Sequence, residues 1–278
     1  MLKLLERNIA SVGQRLVLLA PSQAAHVPSV FDNVSSEPYR HRSLLRELQR
    51  LRGRIYLADG AIQPHQLTSD GRHETPEDER SWHLLVLNDQ RRVSGCIWYL
   101  DHKDTASPDR LRVRHCPLVK QDEWRDKLRL AVKSELARAR RERVSYAEVG
   151  GWAVSSDSRP ADCLLLILST YGLSQLMGGA FVMATATLRH ASARILRRMG
   201  GAPLEGDGYV VPSYYDPQYE CEMELLRFDT RRPSSNFAGL VQLIRGGLAG
   251  VQVFANQLVS DVRPSAYFEQ AHEPLAAA

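Results

Sequence analysis

The chain has 278 residues, of which 44% are hydrophobic and 24% charged, enough to bury a full core and to exclude disorder throughout its length. A formal net charge of +4 makes it mildly basic, which fits an acidic or phosphate-bearing partner but is equally ordinary surface charge. Four cysteines, Cys96, Cys116, Cys163 and Cys221, stand far apart without a CxxC pair, so neither a disulfide framework nor a zinc site is expected and a reducing compartment fits best.

Leu16 to Ala20 (LVLLA) is too short for a signal peptide core, and Arg7 and Arg15 interrupt what precedes it. No run of about 18 apolar residues offers a membrane span. The expectation is a cytoplasmic protein, with peripheral membrane contact left open for its C-terminal tail.

In chain order, Met1 to Ala20 has a weak amphipathic pattern and leads into a connector containing Pro21, Pro28 and Pro38. Residues 1–40 therefore read as an extension outside the core. From His41 a helix is predicted: Leu44, Leu48, Leu51 and Ile55 recur at three- and four-residue spacing, and Asp59-Gly60 is a stop. Arg42, Arg46, Arg50 and Arg54 follow each other at fourfold spacing on another face. Gln63 to Arg80 is a long polar loop of the kind that covers substrates. Trp82 to Leu87 and Val93 to Leu100 form a predicted antiparallel hairpin. Residues 101–120 carry no clear pattern, and Trp124 to Arg143 is a charged helix with an apolar stripe.

The next segment alternates strand and helix. Tyr146 to Val154 (YAEVGGWAV) is a strand, Ser155 to Asp162 a polar loop, Cys163 to Met177 an apolar helix, Ala180 to Thr187 (AFVMATAT) a buried strand, and Arg189 to Met199 a basic helix stopped by Gly200-Gly201. Gly208 to Pro212 and Tyr219 to Phe228 complete a sheet. Residues 231–278 form a tail in which Phe237 to Val259 is an amphipathic helix weakened by Gly246, Gly247 and Gly250, docking on the domain or on a membrane surface.

Four stretches carry a resemblance: ATATLRHASARILRRMGG (Ala184 to Gly201), LRGRIY (Leu51 to Tyr56), WHLLVLNDQRRVSGCIWYL (Trp82 to Leu100) and AEVGGWAV (Ala147 to Val154). Together they resemble the GNAT acyltransferase superfamily, and within it the branch of acyl-homoserine-lactone autoinducer synthases and long-chain N-acyl amino acid synthases. The similar region runs from Leu44 to Asp229, so residues 41–230 read as the acyltransferase-like domain. The resemblance implies an α/β (α+β) fold, a mixed, mostly antiparallel twisted sheet flanked by helices. It also implies an acyl-phosphopantetheine thioester as donor and a small amine as acceptor. Gly151 and Trp98 replace arginines of the autoinducer synthases, which puts homoserine-lactone synthesis proper in doubt but not acyl transfer.

The same resemblance assigns residues. Arg52 and Tyr56 match the arginine and aromatic of the family's first helix and, with Trp82 and Trp98, are candidate substrate contacts; Leu165, Ile167 and Leu168 are further candidate walls for an acyl chain. Trp152, Ala153, Val154, Arg189 and His190 stand where the donor arm runs. Arg159 matches the phosphate loop, while Asp162 and Leu164 replace its small residues, leaning the donor toward acyl carrier protein over coenzyme A. Arg189, Arg194, Arg197, Arg198 and the Arg138 to Arg143 run are its candidate dock, with a solvated helix face as the alternative.

Attack of an amine on a thioester needs a proton acceptor and donors for the developing oxyanion. Glu148 is the candidate base, since alternation puts it on one strand face with Tyr146, Gly150 and Trp152. The basic helix lacks the tyrosine that protonates the leaving thiolate in the family, so Tyr214, Tyr209, Tyr215 or solvent must serve, with Tyr214 the candidate of choice. No histidine spacing fits a metal and no serine sits in a G-x-S-x-G elbow. Nucleic-acid binding is disfavoured by the low net charge and the lack of interleaved aromatics. The competing reading is a non-catalytic carrier- or ligand-binding protein on the same fold.

Overall fold

The computed structural model describes residues 15–256. Its centre is a ten-stranded sheet. In chain order the strands are Leu16–Leu19 (β1), Val34–Ser36 (β2), Trp82–Leu87 (β3), Val93–Asp101 (β4), Ser145–Val154 (β5), Ala180–Thr187 (β6), Ala202–Pro203 (β7), Tyr214–Asp216 (β10), Cys221–Asp229 (β11) and Val253–Ala255 (β12). Glu205–Gly206 (β8) and Tyr209–Val210 (β9) form a separate small hairpin. The sheet order is β10-β11-β6-β5-β4-β3-β1-β12-β2, with β7 added alongside β11. Neighbours are antiparallel except for β5 with β6, β1 with β12 and β12 with β2. This is the mixed, mostly antiparallel sheet that the resemblance implies.

Five α-helices flank it among the described residues: Pro38–Ala58 (α1), Asp122–Glu142 (α2), Pro160–Leu176 (α3), Ser192–Arg198 (α4) and Ser235–Leu248 (α5). Alternation along the strands sorts their side chains into two faces. Leu84, Val86, Ile97 and Ala147 pack with α3 and α5, through Leu166, Leu168, Val241 and Ile244. Leu85, Leu87 and Cys96 meet Leu44, Leu48 and Leu51 of α1, while Tyr146, Phe181 and Met183 meet Leu128, Val132 and Leu136 of α2. The molecule is thus three layers, and β3, apolar on both sides, is buried at every residue.

Three sequence expectations change here. Gly208 to Pro212 does not complete the sheet, since β9 pairs only with β8. Leu16–Leu19 is not outside the core: it is fully inside the sheet, between β3 and β12. Four apolar residues in a row have no period, so a strand buried on both faces looks like any short apolar run. The tail helix ends at Leu248, and the chain then returns to the sheet as β12. The expected tail beyond residue 256 lies outside the described residues.

One irregularity positions everything that follows. β5 pairs with β6 from Ser145↔Ala180 to Val149↔Ala184 and no further, although β5 runs on to Val154 and β6 to Thr187. Beyond that point β5 stays on β4, and β6 follows β11. The β4–β5 register slips by one residue, Cys96 facing Ala153 and Trp98 facing Gly150. Gly151, at φ +63°, is the residue that accommodates this bulge. The slip reverses alternation: Trp152 and Val154 pack toward the α3 side and Ala153 toward α1, so Trp152 leaves the face that Glu148 occupies.

A β-carbon at Gly151 would lie 2.3 Å from Trp98 Cδ1 and would force a left-handed backbone on an L side chain. Gly151→Ala is therefore expected to destabilise by about 2 kcal/mol or more. Gly246→Ala, in α5 with nothing within 4 Å, should stabilise by about 0.5–1 kcal/mol. Urea unfolding of the two variants checks the contrast.

Candidate functional site

The opening between β5 and β6 is occupied by a cavity of about 290 Å³. Arg52, Tyr56, Trp98, Arg112, Glu148 and Tyr214 line it on one side, and Ile97, Ile167, Tyr171, Val182, Leu196 and Phe228 on the other. One end is polar, the other apolar and roofed by α3. Such a two-chemistry cavity at a break in a sheet is a natural small-molecule site.

Glu148 reaches the polar end from β5 and is 3% exposed. Its Oε2 is hydrogen-bonded to His102 Nε2 at 2.8 Å, and its Oε1 accepts from the Arg112 backbone N–H at 2.8 Å. The carboxylate thereby ties down both ends of the segment from His102 to Arg112. Arg112, carried by that segment, donates to Glu77 and lies 5.7 Å over the Trp98 ring. The Trp98 indole fills the space beside both glycines of β5.

Arg52 projects from α1 and is 1% exposed. Its guanidinium holds Asp78 through two hydrogen bonds, 2.9 and 2.7 Å, and donates to the His73 carbonyl. Asp78 also accepts from Gln49 and from the backbone and hydroxyl of Thr75. The 63–80 loop is thus fastened over α1, and His73 and Thr75 join the cavity wall. Burial alone would raise the Asp78 carboxyl, but the Arg52 hydrogen bonds and charge outweigh it and hold it at about 2. Burial and the Arg52 charge push His73 down to about 4, so its ring is neutral at pH 7. Burial raises the Tyr56, Tyr214 and Tyr219 hydroxyls and keeps them protonated.

The other predicted residues divide. Tyr56 lines the cavity, its hydroxyl 3.4 Å from the Trp152 carbonyl. Trp152 also lines it, and its indole N–H is buried without a partner. Arg189 closes the rim by donating to the carbonyls of Asp59 (2.6 Å) and Glu220 (2.7 Å). Of the three candidate tyrosines, Tyr214 lines the cavity, Tyr209 donates to the Lys127 carbonyl and Tyr215 faces solvent. Of the further candidate chain walls, Ile167 lines it while Leu165 and Leu168 pack in the core.

Trp82 does not reach the cavity; it stacks on Phe31 at 5.1 Å in the core at the start of β3. Ala153 and Val154 sit past the bulge, packed in the layers rather than on the cavity wall. Arg159 lies elsewhere, at the N-terminus of α3. His190 falls in the turn Arg189–Ala191, and its side chain lies outside what the structure describes. Sequence reasoning missed Asp78, His73 and Arg112: they come from a polar loop and an unpatterned segment, where no periodicity marks a residue.

At the far end of β5 a second cavity, about 380 Å³, is lined by Arg15, Arg50, Arg54, Arg92 and Arg159 together with Glu47, Asp89 and Asp157. Asp162, which by resemblance replaces a small residue of the phosphate loop, is 2% exposed and committed elsewhere. It caps the α3 backbone at Arg159 N (3.2 Å) and pairs with Arg15 through both oxygens. Among the described residues no cluster of three or more histidines, cysteines or carboxylates is placed to hold a metal ion, and no helix is long and apolar enough to cross a membrane.

A sheet whose two central parallel strands part around a bulge, with helices on both faces, is a GNAT-like fold. Among solved structures the chain is similar to a CoA-dependent acyl-homoserine lactone synthase, BjaI, with MTA, at 16% identity and a TM-score of 0.51, covering 88% of this chain and 95% of that one. BjaI with SAM and isopentyl-CoA gives 17% identity and a TM-score of 0.50 over the same shares. FeeM, an N-acyl amino acid synthase from uncultured soil microbes, gives 13% identity and a TM-score of 0.46, covering 71% and 89%. No protein-family model and no curated protein matches the chain.

The buried Arg52–Asp78 pair makes a linkage prediction. The Asp78 carboxyl titrates near 2 when folded and near about 3.9 when unfolded. Its stabilisation is therefore complete above pH ~4 and lost as pH falls toward 2. Asp78→Ala, which strands a buried guanidinium, should cost about 3 kcal/mol or more at pH 7. It should also flatten the acid limb of a stability–pH curve measured by chemical denaturation.

Proposed function

We propose that the protein is an N-acyltransferase that moves an acyl group, of fatty acyl type, from a phosphopantetheine thioester to the amine of an amino acid or related small metabolite. The observation that carries this reading is the cavity through the β5–β6 opening, with a buried carboxylate at its polar end and an apolar pocket beneath α3. The edge of β5 from Gly150 to Val154, released by β6, offers backbone groups to the amides of a pantetheine arm. The acyl chain then enters the apolar end, and the acceptor sits among Arg52, Tyr56, Trp98 and Arg112.

In the reaction the amine nitrogen attacks the thioester carbonyl, the new C–N bond forms, and the C–S bond breaks as the tetrahedral intermediate collapses. Glu148 takes the proton lost by the amine, its carboxylate held in place by His102 and the Arg112 N–H. The backbone N–H groups of Trp152 and Val154, on the edge away from β4, and the unpartnered Trp152 indole N–H are the oxyanion donors in this reading. Tyr214, kept protonated by burial, or solvent supplies the proton to the leaving thiolate. The lean toward a carrier-borne donor, a cytoplasmic setting and tail contact with a membrane belong to the same proposal.

The second reading, a non-catalytic ligand-binding protein, draws on one observation: both Glu148 oxygens are already engaged. Incubation with acyl-carrier and acyl-CoA donors and pooled amino acids, followed by mass spectrometry, separates the two through the presence of N-acyl products. Glu148→Gln should lower kcat by about 10²- to 10⁴-fold with little change in donor binding. An unchanged rate in that variant would remove Glu148 from the chemistry.

A further inference from the structure

We propose that an acidic, helical acyl-carrier protein docks on the outer face of α1 and the adjoining β3–β4 turn, with its phosphopantetheine phosphate seated in the second cavity. The inference rests on the carrier-borne donor of the preceding section and moves the dock away from the basic helix after β6. Gly150 to Trp152 line the first cavity and Ser155 the second, so an arm lying along the open edge of β5 leaves the protein at the second cavity. The direction of the strand decides where the donor's head must be.

That exit is surrounded by cations. Arg42, Arg46, Arg50 and Arg54 are all exposed on α1, a ridge of about 18 Å from first to last at 1.5 Å per residue. Arg92 and Arg159 extend it across the turn and the start of α3. Arg46 and Arg54 have no hydrogen-bond or ion-pair partner among the described residues. The pairs Arg92–Glu47 (3.4 Å) and Arg159–Asp89 (3.3 Å) are long, with Arg92 70% and Asp89 86% exposed. Pairs of that kind hold by at most about 1 kcal/mol and exchange readily for an incoming anion. Asp162 does not oppose the phosphate, because Arg15 and the α3 backbone already take both its oxygens.

On the competing surface Arg141, Arg143, Arg194 and Arg198 are also exposed and unpaired among the described residues, but none of its arginines lines the second cavity, where the arm leaves, and three others are engaged. Arg189 is bound to two carbonyls, Arg197 pairs with Glu224, and Arg138 pairs with Glu142. A ridge several times longer than one phosphate, with unpaired guanidinium groups along it, complements an acidic protein helix; a small-molecule donor would use the cavity alone.

The test compares one acyl group on a carrier protein and on free pantetheine, in the wild type and in R46E/R54E. The ratio of kcat/KM for carrier-borne to free thioester should fall about tenfold or more, with a weaker dependence on salt. An unchanged ratio overturns the proposal, as does a fall produced by R194E/R198E in place of R46E/R54E. Titration of fluorescently labelled holo-carrier is read in parallel and needs no turnover. Salt-sensitive binding by the wild type that is lost in R46E/R54E supports the dock even if no donor is consumed, in which case the enzymatic reading alone fails. No carrier binding by the wild type, with acyl-CoA turned over, overturns the dock and leaves that reading standing.

Discussion

The parting of β5 from β6 is the feature on which the site depends. A sheet closes its backbone hydrogen bonds by continuing its ladders, and an interior pair that separates leaves N–H and C=O groups that something must satisfy. Here the separation is locked by a bulge at Gly151, where a left-handed backbone and the neighbouring Trp98 indole tolerate no side chain. The bulge keeps the outer part of β5 on β4 while β6 follows β11. It also exchanges the faces of Trp152 and Ala153, so a single glycine fixes both the opening and which side chains look into it.

Around that opening the charges are organised by pairing rather than by exposure. Arg52 with Asp78 and Glu148 with His102 are buried on both sides, and each joins an irregular segment to a regular element. The first fastens the 63–80 loop to α1, the second fastens the 102–112 segment to β5. A buried ion pair such as Arg52–Asp78 adds little net stability once desolvation is counted, and the Glu148–His102 contact is a single hydrogen bond. What these two supply is position: they bring His73, Thr75 and Arg112 to a cavity that the sheet alone would leave open on one side.

The fold class was largely legible in the residues. The alternation in Tyr146 to Val154 and Ala180 to Thr187, the period of Leu44, Leu48 and Leu51, and the stops at Gly60 and Gly200 each rest on local physics, and the helices and central strands stand where that physics puts them. The site was legible in part. Glu148, Tyr56, Trp98 and Arg52 do converge, but Trp82 belongs to the core, and the side chains of Ala153 and Val154 pack in the layers, leaving only their backbone for a donor arm along β5.

By itself, then, the sequence determined the layers: its apolar periods state which side of each helix and strand is buried, because burial follows directly from side-chain chemistry. Only the tertiary structure decided that Leu16–Leu19 joins the sheet, that Asp78 neutralises Arg52, that Arg15 takes up Asp162, and that Arg50 and Arg54 of α1 stand beside Ser155 past the end of β5. Each of these joins residues far apart in the chain. Contacts of that kind leave no local period, since either partner alone looks like an ordinary surface charge or a short apolar run until the fold brings the other to it.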